Sequence, residues 1–422
     1  MTDSKNHDKP EPSNNDTNSA VVLVIDQLPA WLLGPYGNTW FDASNFNRLA
    51  GQSMLFDMCV TDTPDLKRAY RGMWLGGHAM QESTPEFFQS HPHLVERLDD
   101  WGVRTTLAAD DSAQSTQLIK QFEIASAFDR HVEIPINEPT RLATSISDAY
   151  LTQYFAQAVE LVAGIQAGDL IWLHCQGLAG PWDAPYSLRQ HLADEEDPDP
   201  PKFLRLPEST FDAAQDDPDL ILGYQQSCLA QVMMLDQLLG LLLDELPDET
   251  LFCLTSTRGI PLGEHSVVGS AQTLYQEVTH VPLFIRTPET AANFGSRSQR
   301  LVHPQIIRDV LIEWFATGQQ QLDFKNDWMN PIDHDRDEQA VFCAELDAEK
   351  QIVTAAIQTR DWKYIRDCHP DGQSDQSKSR SELYSKPDDR WEINNVADRG
   401  WADAKPLKRR LQEERERYLE KS

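Results

Sequence analysis

The run VVLVID at 21–26 constrains this chain more than any other stretch. It is apolar at every position up to its closing carboxylate, and mostly β-branched. A strand with one wet face alternates apolar and polar residues, whereas a strand covered on both faces has no reason to. The run therefore reads as a buried strand of a parallel sheet. Others follow it. LVERLDDWGVRTTLAAD (94–110) reads as a helix, Gly102 as its left-handed stop, then a strand. DLIWLHCQG (169–177), TLFCLTS (250–256) and HVPLFIR (280–286) read as further strands. Between them, residues 45–53, 145–168, about 222–246 and 303–318 carry helical spacing. This alternation predicts an α/β fold: a mainly parallel central sheet with helices on both faces.

The α/β domain is expected over 21–330. After an acidic, proline-containing stretch around 319–340 the pattern changes. Residues 340–367 read as short antiparallel strands and 405–422 as a charged helix, which together predict a small C-terminal α+β subdomain over 340–422. Residues 1–20 are polar, read as a disordered tail, and lack the apolar segment of a secretory signal. VMMLDQLLGLLLDEL (232–246) is too short to span a bilayer and holds Asp236. The formal net charge of -30 argues against nucleic acid and anionic membrane as partners, since both need clustered Lys and Arg. Six cysteines stand without a C-x-x-C pair, and Cys175 and Cys253 fall in strand-like runs. They read as reduced thiols in a cytoplasmic protein, although one or two disulfides also fit the spacing.

Sites in a parallel α/β sheet lie at the carboxyl ends of its strands. IDQ (25–27), AADDS (108–112), HCQGLAGPW (174–182) and TSTRG (255–259) occupy such ends, and LKRAYRGMWLGG (66–77) looks like the start of a helix that carries a catalytic group. Other polar groups read blandly: the histidines of HPH (91–93) in a loop, His174 as a hydrogen-bonded core residue, Trp172 and Trp182 as packing, Arg189 and His191 as solvated. The cluster DHDRD (333–337) lacks the turn glycine and closing glutamate of a calcium loop and reads as linker.

In order, these fragments resemble the sulfatase family of the alkaline phosphatase superfamily. VIDQLPAWLLGPYGN matches the family's opening strand with its Asp pair, leucine, glycine and Tyr-Gly; ASNFNRLA (43–50) follows. The signature C/S-x-P-x-R-x-x-x-L-x-G falls on Lys67, Ala69, Arg71, Leu75 and Gly77. LHCQGLAGP (173–181) and TSTRG with GEH (263–265) continue the series. Y-x-E-x-x-x-V-P-L falls on Tyr275 to Leu283, then come WKYI (362–365), ELY (382–384) and NNVAD (394–398). The resemblance implies a hydrolase in which formylglycine, made from the signature cysteine or serine, attacks sulfur. It also implies a divalent cation, usually calcium, held by three carboxylates and an amide or imidazole.

Here the pattern departs from the family. Asp26 is kept but its neighbour is Gln27, and the later pair of metal positions holds Thr257 and Arg258. Lys67 stands at the nucleophile and Ala69 at the proline, so formylglycine has no precursor. The sulfate-side lysines and histidines fall on Asp110, Ser112, Ala179 and Ala271, while Arg71 and His265 remain. The resemblance, read with these losses, implies a catalytically degenerate homologue with no metal, in which an Asp26–Arg258 ion pair takes the place of the cation. Lys67 fills space or pairs with Asp65 or Asp26; a Schiff-base nucleophile is the other reading. An anion cleft of Lys67, Arg71, Arg258 and His265 is expected to take a sulfate, phosphate or carboxylate. The alternatives are an active sulfuric-ester hydrolase with a rearranged site and calcium, and a structural or regulatory partner whose own protein partner is unknown.

Overall fold

A computed structural model describes residues 18–205, 209–210, 216–270, 272–288, 295–317, 339–346, 351–368 and 380–420. Most of the N-terminal tail, the cluster at 333–337 and Ala271 lie outside these residues. The main sheet has nine strands. Across it run Arg297–Val302, Ser53–Val60, Leu283–Arg286, Thr250–Thr255, Ser19–Ile25, Asp169–Cys175, Arg104–Asp110 and Arg130–Ile134, with His280–Val281 paired to Ser53–Val60 off this path. Leu283–Arg286 is antiparallel to both neighbours; the pairings of Ser19–Ile25 are parallel. The expected single strand at 280–286 is broken at Pro282, which has no N–H for a ladder bond.

The first strand explains why its sequence does not alternate. Val21, Leu23 and Ile25 enter one core, with Tyr154, Phe155, Leu235 and Leu239 of the helices Tyr150–Ala163 and Pro218–Glu245. Ala20, Val22 and Val24 enter the other, with Trp74, Leu98 and Trp314 from three further helices. Successive side chains point to opposite faces, so a strand between two helix layers must be apolar throughout.

The helix Pro218–Glu245 starts earlier than its apolar run and has 28 residues, so length no longer argues against a bilayer. Its burial does, since 83% of its most apolar window is covered by protein. Asp236 explains the carboxylate in that run. It accepts hydrogen bonds from the backbone N–H groups of Asn45 (3.1 Å) and Phe46 (2.8 Å), capping the helix Ser44–Gln52 from outside. Burial raises its pKa. Asp236→Ala is expected to cost about 2 kcal/mol in urea unfolding, because two helix N–H groups lose their acceptor.

The strands Val341–Leu346, Ile352–Gln358, Trp362–Asp367 and Ser381–Ser385 form a separate antiparallel sheet. Ala355 and Ile357 pack with Leu407 and Leu411 of the helix Trp401–Glu420. On the other face Cys343 and Ala356 pack with Val60 and Leu274. All six cysteines are free and buried.

His78 ties this sheet to the main one. Its Nδ1 accepts from the Met80 N–H at 3.1 Å, so Nε2 carries the proton and donates to the Phe342 carbonyl at 2.9 Å. The ring stacks on Tyr418, with centroids 4.5 Å apart. The neutral tautomer is therefore the one this site satisfies, and burial brings the pKa from 6.5 to about 4. As pH falls below 6.5 the unfolded chain takes a proton that folded His78 refuses. The expected loss is about 3 kcal/mol, complete near pH 4. Urea titrations between pH 6.5 and 4 check this, since His78→Gln should flatten the slope by one proton.

Candidate functional site

The parallel register brings the strand ends together. Val24 pairs with His174 on one side and Thr255 on the other, so Asp26, Gln176 and the turn 256–258 share one edge. The Asp26 N–H donates to the Cys175 carbonyl at 2.9 Å. Gly177 is required beside it. Its φ is +51°, and a Cβ there would sit 2.6 Å from the Asp26 carbonyl oxygen.

Asp26 is fully buried, and its carboxylate is surrounded by donors. Oδ1 accepts from the Thr257 hydroxyl and from the Gln27 N–H at 3.0 Å. Oδ2 accepts from Gln114 Nε2 at 2.9 Å and from Arg258 Nη2 at 3.3 Å. The expected Asp26–Arg258 ion pair is present. Arg258 also donates Nη1 to the Pro64 carbonyl at 3.0 Å, which fixes the guanidinium against the turn before the helix Leu66–Leu75. Gln27, at φ +59°, turns its amide away from Asp26 to donate to Ser270 Oγ at 2.6 Å.

Calcium takes about six to eight oxygens, several of them carboxylate. Asp26 contributes the only carboxylate of the four remnant positions, and each of its oxygens already accepts two hydrogen bonds. Among the described residues, no three His, Cys, Asp or Glu side chains converge as metal ligands. These residues do not fit a divalent cation.

The expected four-cation cleft does not assemble. Arg258 is spent on Asp26 and Pro64. Arg71 is buried, donating to the His78 carbonyl and Ser83 Oγ at 2.7 Å each and lying over the Phe87 ring. Burial and Arg68 lower its pKa to about 10. His265 belongs elsewhere: Nδ1 meets Glu277 at 2.9 Å, Nε2 meets the Glu392 carbonyl at 2.9 Å, and the ring stacks on Tyr275 at 3.6 Å. Burial alone would lower its pKa, but Glu277 overrides it and the net shift is upward. Lys67 is half-buried and makes no ion pair among the described residues. It pairs with neither Asp65 nor Asp26: Asp65 caps the helix through the Arg68 N–H at 2.8 Å, and Asp26 holds Arg258.

The family's sulfate-side positions 112 and 179 open onto a cavity of about 360 Å³. Asp111, Gln114, Glu138, Gln176 and Arg205 share its wall, and Arg205 is paired with Glu138. Asp110 caps this edge, accepting the Gln176 N–H at 2.8 Å. The cavity wall is polar, with Asp111 and a Glu138–Arg205 pair as its charged groups.

Sequence reasoning missed Gln114, Tyr70 and Ser270. Gln114 follows the strand end at 108–112 by two residues, which was the available signal. Tyr70 donates to or accepts from His174 Nδ1 at 2.8 Å, and burial lowers the His174 pKa. Trp172 and Trp182 are core residues. Arg189, expected in solvent, is fully buried; it donates to the Trp182 carbonyl at 2.7 Å and the Phe203 carbonyl at 3.0 Å and so ties down the acidic loop. His93, expected in a loop, caps the helix Leu94–Asp99 together with Glu96.

The family model Sulfatase matches residues 19–317. The chain belongs to the sulfatase family. No curated protein matches it. Among solved structures it is similar to the phosphonate monoester hydrolase of Agrobacterium radiobacter (TM-score 0.71, 15% identity, 96% of this chain and 96% of that one). It is also similar to BT4656 in complex with its substrate D-glucosamine-2-N,6-O-disulfate (TM-score 0.66, 15% identity, 95% and 98%). A third is the phosphonate monoester hydrolase SpPMH from Silicibacter pomeroyi (TM-score 0.65, 14% identity, 96% and 96%). At these identities the likeness concerns the fold: a mostly parallel mixed sheet with helices and a small C-terminal antiparallel sheet.

Proposed function

We propose that this sulfatase-family protein is a catalytically degenerate member, in which the Arg258 guanidinium does the electrostatic work of the cation and no nucleophile remains. The observation that carries this reading is the saturation of Asp26 by four donors, one of them cationic. A carboxylate so held has no oxygen free for a metal, and a metal beside Arg258 would meet like charge. Lys67, Ala69 and the absence of a Lys or His at 112 and 179 support it. An ammonium at the nucleophile position does not form the aldehyde hydrate that attacks sulfur in the family.

The test is metal analysis of the purified protein followed by assays with 4-nitrophenyl sulfate and phenyl phosphonate esters, with calcium or manganese added. Far less than one metal per chain and no turnover are expected. Stoichiometric metal, or turnover abolished by Asp26→Ala, would overturn the proposal. Binding is assigned to Lys67 alone among the four cations, because it makes no ion pair among the described residues. Sulfate or phosphate should raise the melting temperature, and Lys67→Ala should remove that rise. The six unpaired cysteines support placement in a reducing compartment such as the cytoplasm.

A further inference from the structure

Three large hydrophobic side chains stand exposed around one pocket. Trp40 is 54% exposed, Trp391 40% and Ile393 80%. The pocket has a volume of about 630 Å³, and neither Asp26, Lys67, Arg71 nor Arg258 lines it. Its walls come from two distant segments, 31–40 and 390–393, with Gln225, Glu264 and His265 at the side. Trp31 and Trp391 meet edge to face, with centroids 5.5 Å apart.

The exposure is built in rather than incidental. Glu392 sits between Trp391 and Ile393 but points inward, fully buried, with its backbone in the left-handed region at φ +57°. Lys363 and Lys386 hold its carboxylate at 3.0 and 2.8 Å. Lys386 also donates to the Asp389 and Arg390 carbonyls, at 3.2 Å each. The Asp389 carboxylate accepts from the Ile393 and Asn394 N–H groups, at 3.0 and 2.9 Å. With Glu392 drawn in, its neighbours are turned out. His265 on the adjoining wall and its neighbour Ser266 are also held at positive φ, and His265 bonds the Glu392 carbonyl. Backbone strain held by surrounding structure concentrates at ligand sites, and a rigid wall lowers the ordering cost of binding.

The side chains select the ligand class. An indole face stacks on the C–H face of a pyranose ring; the exposed Trp40 ring is free of ring contacts among the described residues, whereas the Arg390 guanidinium lies over the Trp391 ring, 5.2 Å from its centroid, and leaves its other side for a sugar. Asn38 Nδ2, the Thr39 hydroxyl and the Gln225 amide make no hydrogen bond among the described residues, so donors and acceptors are available to ring hydroxyls. Arg390 in the wall opposes a cation such as a quaternary ammonium, and Glu264 opposes an anion. We propose that this pocket binds a neutral saccharide of one or two pyranose units. This is a binding site apart from the Asp26 site and does not rest on the functional reading above.

Titration of the full chain with cellobiose, maltose and lactose, followed by calorimetry, tests it. Choline chloride serves as the cation probe, and light scattering reports self-association. At least one sugar should bind saturably. Trp40→Ala and Trp391→Ala should each weaken it by about fivefold to tenfold. Trp40 makes no ring contact among the described residues, so its loss is expected to leave folding intact, which circular dichroism verifies. Absence of sugar binding, or equal binding by both variants, would overturn the proposal. So would binding of choline alone, or dimerisation through Trp391 without sugar binding.

Discussion

Arg258→Ala is expected to destabilise the protein by about 3–5 kcal/mol, far more than loss of an exposed arginine. Asp26 would then be a fully buried carboxylate with hydrogen bonds but no cation. Asp26→Ala should cost a similar amount, because the guanidinium, 9% exposed, would keep only the Pro64 carbonyl among the described residues. Asp26→Leu with Arg258→Met should cost much less than the sum, since no charge is left behind. Urea midpoints of Asp26→Leu, Arg258→Met and the pair complete the cycle. Strict additivity would mean that the two groups do not sense each other. Added calcium should rescue none of these variants, because the remaining groups offer no carboxylate cage.

Glu392→Gln is expected to be at least as damaging, again by about 3–5 kcal/mol. Lys363 and Glu392 have wholly buried side chains, and that of Lys386 is 4% exposed. Removing the anion leaves two ammonium groups buried side by side. The pH dependence has a definite sign. Burial by itself would raise the Glu392 pKa, but Lys363 and Lys386 override it and hold the carboxyl below its ordinary 4.5. A depressed carboxyl contributes stability that is present above 4.5 and is lost as pH falls through the lower folded value. Wild type should therefore show an extra acid-limb loss below pH 4.5 that Glu392→Gln lacks. Urea unfolding between pH 7 and 3 measures both effects.

Much of the frame was legible in the sequence. Non-alternating runs such as VVLVID marked strands with helices on both sides, and the helix at 145–168 emerged as Tyr150–Ala163. The strand Ser53–Val60 was not legible, because Asp57 interrupts its apolar run. In the fold Asp57 pairs with Arg297 of the neighbouring strand at 2.6 Å, a partner 240 residues away. Arg130–Ile134 is a mostly exposed edge strand and carries no apolar signature. Of the site, the departures at 27, 67, 257 and 258 could be read from the resemblance to the sulfatase motifs. The destinations of Arg71 and His265 could not, since a charged residue in a motif does not state its partner.

The sequence alone determined a mainly parallel α/β sheet, which follows from local pattern, and its resemblance to the sulfatase motifs showed that Asp26 lacks two carboxylates that the family places beside it. Only the tertiary structure decided where each cation went. Arg258 reaches Asp26, Arg71 turns to the 78–83 loop, and Lys363 and Lys386 draw Glu392 inward so that Trp391 and Ile393 face out. A buried charge must find an opposite charge or donors wherever packing places them, and packing joins residues hundreds of positions apart.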